Sequence, residues 1–101
     1  MIHVIAAIDV VPGRLDEFLQ IFHQLVPKVR EEEGCLEYGP AMDLSTSIPG
    51  QQTRENTVTI IEKWSSIEAL EKHLMAPHMG EFRRATEGIR VGLSLQILKP
   101  V

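Results

Sequence analysis

With 101 residues, 44% hydrophobic and 24% charged, residues 1–101 have the size and composition of a single globular domain. Fourteen acidic against ten basic residues leave a formal charge of −4, which argues against a general nucleic-acid binder. No apolar run approaches the roughly 20 residues that span a bilayer, so no membrane partner is expected, and the length excludes a large cofactor-binding domain.

In chain order, residues 2–11 alternate, with Ile2, Val4, Ala6, Ile8 and Val10 on one strand face, until Pro12-Gly13 stops the strand. From Leu15 the period becomes helical, and Leu15, Phe18, Leu19, Phe22, Leu25, Val26 and Val29 form one apolar stripe. Pro27 lies within it and predicts a kink or restart, because it removes a backbone donor. Arg30 through Glu33 and then Gly34 close the helix. Residues 35–43 predict a second strand, interrupted at Gly39-Pro40, and proline confines it to a sheet edge. The polar stretch 45–56 reads as a solvated loop, with a lid or an arm to a partner as alternatives.

Thr57–Trp64 predicts a third strand, with Val58, Ile60, Glu62 and Trp64 on one face. Ser65 and Glu68 carry the spacing of a capping box, with Ser65 as N-cap. The helix beyond should bury Ile67, Leu70 and Leu74, with His73 on nearly the same face. Pro77 suits the first position of a further helical segment, whose apolar side is Met79, Phe82 and Ala85 or Thr86, ending at Gly88. Val91, Leu93, Leu95 and Ile97 alternate in a last strand.

The order β-α-β-β-α-β, with a split second helix, predicts an α+β, ferredoxin-like domain: a four-stranded antiparallel sheet with its helices on one face. Several strands carry apolar residues on both faces, and in so short a chain the expected cover for the second face is another copy, giving a homodimer. Cys35 is the one cysteine and forms no internal disulfide. The opening Met1–Ile5 reads as a strand rather than a leader, so a cytoplasmic protein is expected. His3, His23, His73 and His78 fit no tight chelating pattern, and no metal is expected.

Glu33-Gly34-Cys35-Leu36-Glu37-Tyr38 followed by Asp43, and Glu62-Lys63-Trp64 followed by Ala69-Leu70, His73-Leu74 and Ala76-Pro77-His78, form two ordered passages. With the opening Val4-Ile5-Ala6 strand and the Pro12-Gly13 turn, they resemble the antibiotic biosynthesis monooxygenase family along nearly the whole chain. The resemblance implies a dimeric α+β barrel. It also implies oxidation of electron-rich aromatics such as hydroquinones or polyphenols by O2, without metal, flavin or haem. Ground-state O2 is a triplet, and its reaction with closed-shell molecules usually needs a cofactor that supplies single electrons. A phenolate or hydroquinone anion can supply them itself. Haem-degrading relatives carry an Asn on the first strand and a Trp in the second helix. Ala6 and Ala7 occupy the first region here and His73 the second, so haem degradation is not expected.

Within that resemblance His73 is the candidate base and Glu62 its candidate orienting acid, and Trp64, Tyr38, His78, Met79 and Phe82 are candidate substrate contacts. Each has a plainer reading. His73 could be a half-buried structural histidine, Glu62 a structural acid tied to an Arg or an amide, Trp64, Met79 and Phe82 core, Tyr38 a surface hydroxyl, and His78 a helix-start residue. Two further functions stay open: a non-catalytic homodimer that binds a small hydrophobic ligand, and an isomerase of a small phosphorylated metabolite, for which Lys72, Arg83, Arg84 and Arg90 are possible anion donors.

Overall fold

A computed structural model describes all residues, Met1–Val101. The elements run β1 (Ile2–Val10), α1 (Leu15–Arg30), β2 (Cys35–Met42), β3 (Thr57–Trp64), α2 (Ile67–Leu74), α3 (Pro77–Ala85) and β4 (Arg90–Leu98). The four strands form one antiparallel sheet in the order β2-β3-β1-β4. This is the ferredoxin-like arrangement, with β2 at an edge, where a proline such as Pro40 is tolerated. No helix is long and apolar enough to cross a membrane.

One sheet face carries the core. Val4, Ala6, Ile8 and Val10 of β1 and Val58, Ile60 and Trp64 of β3 are buried against Phe18, Phe22, Leu25, Val26 and Val29 of α1 and Met79 and Phe82 of α3. Phe22 stacks on Tyr38 at 5.7 Å and meets Phe82 edge-on at 5.6 Å, so aromatic rings bridge α1, α3 and β2.

Several local expectations are corrected. Helix α1 runs unbroken through Pro27, and Glu31 N–H still reaches the Pro27 carbonyl at 3.3 Å. Strand β2 likewise continues through Gly39-Pro40. The N-cap of α2 is Ser66, not Ser65: Ser66 Oγ accepts from Ala69 N–H at 3.2 Å, which leaves no capping box with Glu68. Ile67 and Leu74 are exposed, and α2 instead buries Leu70 and His73.

The largest departure is in β4. Leu93, Leu95 and Ile97 pair with Ile8, Ala6 and Val4 and therefore share the helix-side face, yet Val91, Leu93, Leu95 and Ile97 all remain exposed. The helical layer stops short of this strand. The opposite face is more mixed, with Ile5 and Ile61 beside Lys63, Thr59, Ser94 and Gln96. The bare apolar stripe thus lies on the helix side of β4 more than on the far side of the sheet.

The 45–56 connection is exposed and closed at its base by Asp43, whose two carboxylate oxygens each accept from Arg54 at 2.8 Å. These hydrogen bonds hold the Asp43 carboxyl down at about 2.

Candidate functional site

A bulge makes the site possible. Between Cys35 and Glu37 the register of β2 against β3 slips by one residue. The slip adds one to the alternation, so Leu36 and Glu37 both face out while Tyr38 turns to the helices, level with Glu62 of β3 and Val4 of β1. Helix α2 then lays His73 over this row. The imidazole lies 4.7 Å from the Trp64 ring and 5.5 Å from Tyr38, centroid to centroid, and the residue is only 2% exposed.

Below these rings a cavity of about 400 Å³ is lined by Ala6, Ile8 and Ile60 from the sheet, by Met79 and Phe82 from α3, and by Tyr38, Glu62 and His73. Its mouth runs along exposed Val91, Leu93 and Leu95. The volume suits a small organic molecule, and the design is that of an apolar pocket with a few convergent polar groups.

Those polar groups are held from behind. His73 Nδ1 lies 2.9 Å from Glu32 Oε2, and His78 Nε2 reaches the same oxygen at 2.7 Å. A carboxylate only accepts, so the Glu32 contact places the His73 proton on Nδ1 and leaves a lone pair on Nε2. Trp64 Nε1–H donates to Glu62 Oε1 at 2.9 Å. Neither His73 Nε2 nor the Tyr38 hydroxyl bonds any group of the chain, and no buried side-chain polar atom lacks a partner. Both atoms therefore have open surface, and the cavity is the space their residues line.

Electrostatics follow burial. Desolvation lowers the His73 pKa, against the opposing pull of Glu32, and so favours the neutral base. Burial lifts the Glu62 carboxyl to about 7, despite the Trp64 hydrogen bond that favours its charge. Burial likewise raises the Tyr38 phenol, which stays protonated, and the Cys35 thiol, which is no thiolate nucleophile. Of the four cations considered from the sequence, Arg83 and Arg90 line the cavity, whereas Lys72 and Arg84 do not. Arg83 donates to the Leu74 carbonyl and Arg90 to Thr86 Oγ1 and the Arg83 carbonyl, so neutral acceptors hold both guanidiniums.

Tyr38, Glu62, His73, Met79 and Phe82 thus come together at one cavity. Trp64 is fully buried behind it, bonded to Glu62 and packed on His73, and His78 stands outside it on Glu32. The group that orients His73 is Glu32, while Glu62 spends its known hydrogen bond on the indole. In the sequence Glu32 stands out only as part of the charged Arg30–Glu33 run that closes α1. The available signal was Gly34 beside three consecutive acids, a turn tight enough to direct one of them inward.

The Glu62 environment carries a stability prediction. A carboxyl raised from 4.5 to about 7 on folding holds its proton where the unfolded chain releases it. Its contribution is whole below pH 4.5 and is lost as pH rises to 7, a change of about 3 kcal/mol. Glu62→Gln keeps the oxygen that accepts from Trp64 and removes the ionisation. Urea unfolding should therefore show the variant gaining on the wild type between pH 5 and pH 8. An equal difference at both pH values would refute the assignment.

The chain resembles known proteins over nearly its whole length. The antibiotic biosynthesis monooxygenase family profile matches residues 1–85. The probable quinol monooxygenase YgiN of Escherichia coli K12 is 36% identical over 102 aligned positions, covering 99% of this chain and 98% of that protein. Among solved structures, PA3566 of Pseudomonas aeruginosa superposes with a TM-score of 0.82 at 27% identity, covering 99% of this chain and 93% of that one. A conserved protein of Methanosarcina mazei Go1 shares the fold, with a TM-score of 0.84 at 23% identity over 99% of this chain and 92% of its own.

Proposed function

We propose, from the premise that this chain belongs to the antibiotic biosynthesis monooxygenase family, that it is a cofactor-independent monooxygenase of small electron-rich aromatics, hydroquinones above all. The carrying observation is His73: its Nδ1 is held by Glu32, burial favours its neutral form, and the residue lines an apolar cavity of about 400 Å³. Such a group takes a phenolic proton at Nε2, and Glu32 steadies the resulting imidazolium. Arg83 and Arg90 favour the anion left on the ring, and the Tyr38 hydroxyl is free to hydrogen-bond a ring oxygen. The electron-rich anion then passes an electron to O2. Overall, one oxygen atom enters the ring and the other leaves as water: hydroquinone and O2 yield hydroxyquinone and water. The four electrons that O2 takes up all come from the substrate.

Oxygen uptake with a panel of hydroquinones and polyphenols tests this reading. Uptake above buffer autoxidation, with hydroxylated product by mass spectrometry, supports it. Turnover in the absence of O2 would instead favour an isomerase, and saturable binding without turnover a ligand-binding protein.

The working unit we propose is a homodimer. The exposed stripe Val91, Leu93, Leu95 and Ile97 borders the cavity mouth and offers an unpaired strand edge, so a second copy there would shield both. Light scattering should give twice the chain mass. Ile97→Asp, away from the cavity lining, should shift the population to monomer, and a monomeric wild type rules the dimer out.

A further inference from the structure

Glu32 Oε2 is shared by two imidazoles, His73 Nδ1 at 2.9 Å and His78 Nε2 at 2.7 Å, an arrangement that also suits a metal ion. We propose that Glu32 Oε2, His73 Nδ1 and His78 Nε2 form a site for a divalent transition cation of the Zn2+ class, and that its binding switches off the His73 base.

The donor set is one carboxylate oxygen and two imidazole nitrogens, brought together from the turn after α1, from α2 and from the first turn of α3. The three atoms lie within 4.8 Å of one another, with the oxygen 2.9 Å and 2.7 Å from the two nitrogens. Ligands about 2.0–2.2 Å from a tetrahedral zinc stand roughly 3.4 Å apart, so each imidazole withdraws from Glu32 by about half an ångström while the two nitrogens, the widest pair at up to 4.8 Å, close to the same spacing. His78 can do so, since its side chain is 22% exposed and that of Glu32 13%. His78 also borders a second, smaller cleft with Gln24, Lys28 and Glu81, which gives an ion a way in from solvent. Nothing else bonds these three donor atoms.

The switch follows from the imidazole itself. Facing Glu32, Nδ1 carries the proton and Nε2 the lone pair. A cation on Nδ1 needs that lone pair there, so the ring proton moves to Nε2 and the cavity sees an N–H donor in place of a base. No electron changes hands and no bond to carbon is involved. The loss of activity is a change of tautomer, reversible when the cation is removed.

The chain contains a single tryptophan, Trp64, with its ring 4.7 Å from that of His73, which provides a direct reporter. Titration of the full chain with Co2+, read by Trp64 fluorescence, and with Zn2+, read by calorimetry, should saturate at one ion per chain. Glu32→Gln and His78→Gln should each weaken binding at least about tenfold, while His23→Gln, on the exposed face of α1, should not change it. Circular dichroism checks that the variants fold. Absence of saturation into the millimolar range, or equal binding by Glu32→Gln and His78→Gln, overturns the site. This binding arm is independent of the proposed reaction. The switch rests on that reaction: Zn2+ should abolish oxygen uptake and a chelator restore it. Saturable binding that leaves uptake unchanged, or raises it, overturns the switch while leaving both the site and the monooxygenase reading standing.

Discussion

His73→Gln should lower kcat for hydroquinone oxidation by about 10²- to 10⁴-fold, the range a positioned general base supplies, with a much smaller change in KM. Glutamine preserves the packing between Trp64 and Tyr38 and can still donate to Glu32, so the fold survives and the loss reports proton transfer. Glu32→Gln supplies the complementary measurement. Glu32 is what draws the His73 pKa up against burial. Its removal should move the acid limb of the kcat profile to lower pH while reducing the plateau, because the imidazolium formed in the reaction loses its counter-charge. The wild-type limb itself should lie below the ordinary histidine range, since desolvation is the larger influence. A merely structural Glu32 would reduce the plateau or the stability and leave the limb in place. If His73→Gln retains wild-type kcat, the proposed chemistry is wrong.

The α1 stripe from Phe18 to Val29, the edge position of β2 and the pause between α2 and α3 at Pro77 were legible because each rests on a local rule: helical period, a missing N–H, a fixed φ. The family passages likewise placed His73, Glu62 and Tyr38 near one another. Less legible was whatever depends on a relation between elements. Strict alternation along β2 would put Cys35 and Tyr38 on opposite faces, and only the bulge reconciles them. Leu93 and Leu95 carry a perfect strand pattern, but whether a helix covers them depends on how far α2 and α3 reach across the sheet. Ser65 and Ser66 are equivalent N-caps until the turn at Gly34 claims the backbone of one of them: Ser65 N–H bonds the Gly34 carbonyl at 2.8 Å. Glu32 was hidden for the same reason. Three consecutive glutamates look solvated, and the partners of the middle one, His73 and His78, lie 41 and 46 residues away.

That turn is also where a single methyl group should do the most damage. Gly34→Ala faces two separate penalties. Its φ of +84° lies in the left-handed region, which costs alanine about 1–2 kcal/mol. An added Cβ would stand 2.6 Å from Ala69 Cβ and 2.7 Å from Ser65 Oγ, so the turn and the start of α2 have to separate. Overpacking of this kind costs a further ~1–3 kcal/mol. At roughly 4–8 °C per kcal/mol for a domain of this size, Tm should fall by about 10 °C or more. Gly13→Ala is the internal control: Gly13 has a φ of +89° but nothing within 4 Å of its Cβ position, so it meets the first penalty alone. The second penalty has a catalytic consequence. Gly34 follows Glu32 by two residues, and α2 carries His73, so forcing the turn away from α2 stretches the 2.9 Å contact between them. Gly34→Ala should therefore show the lowered acid limb of Glu32→Gln at a temperature where it is still folded, and Gly13→Ala should not. Equal Tm losses in the two alanine variants would mean that the contact with α2 yields without cost, and the turn would then be no part of what holds Glu32 on the base.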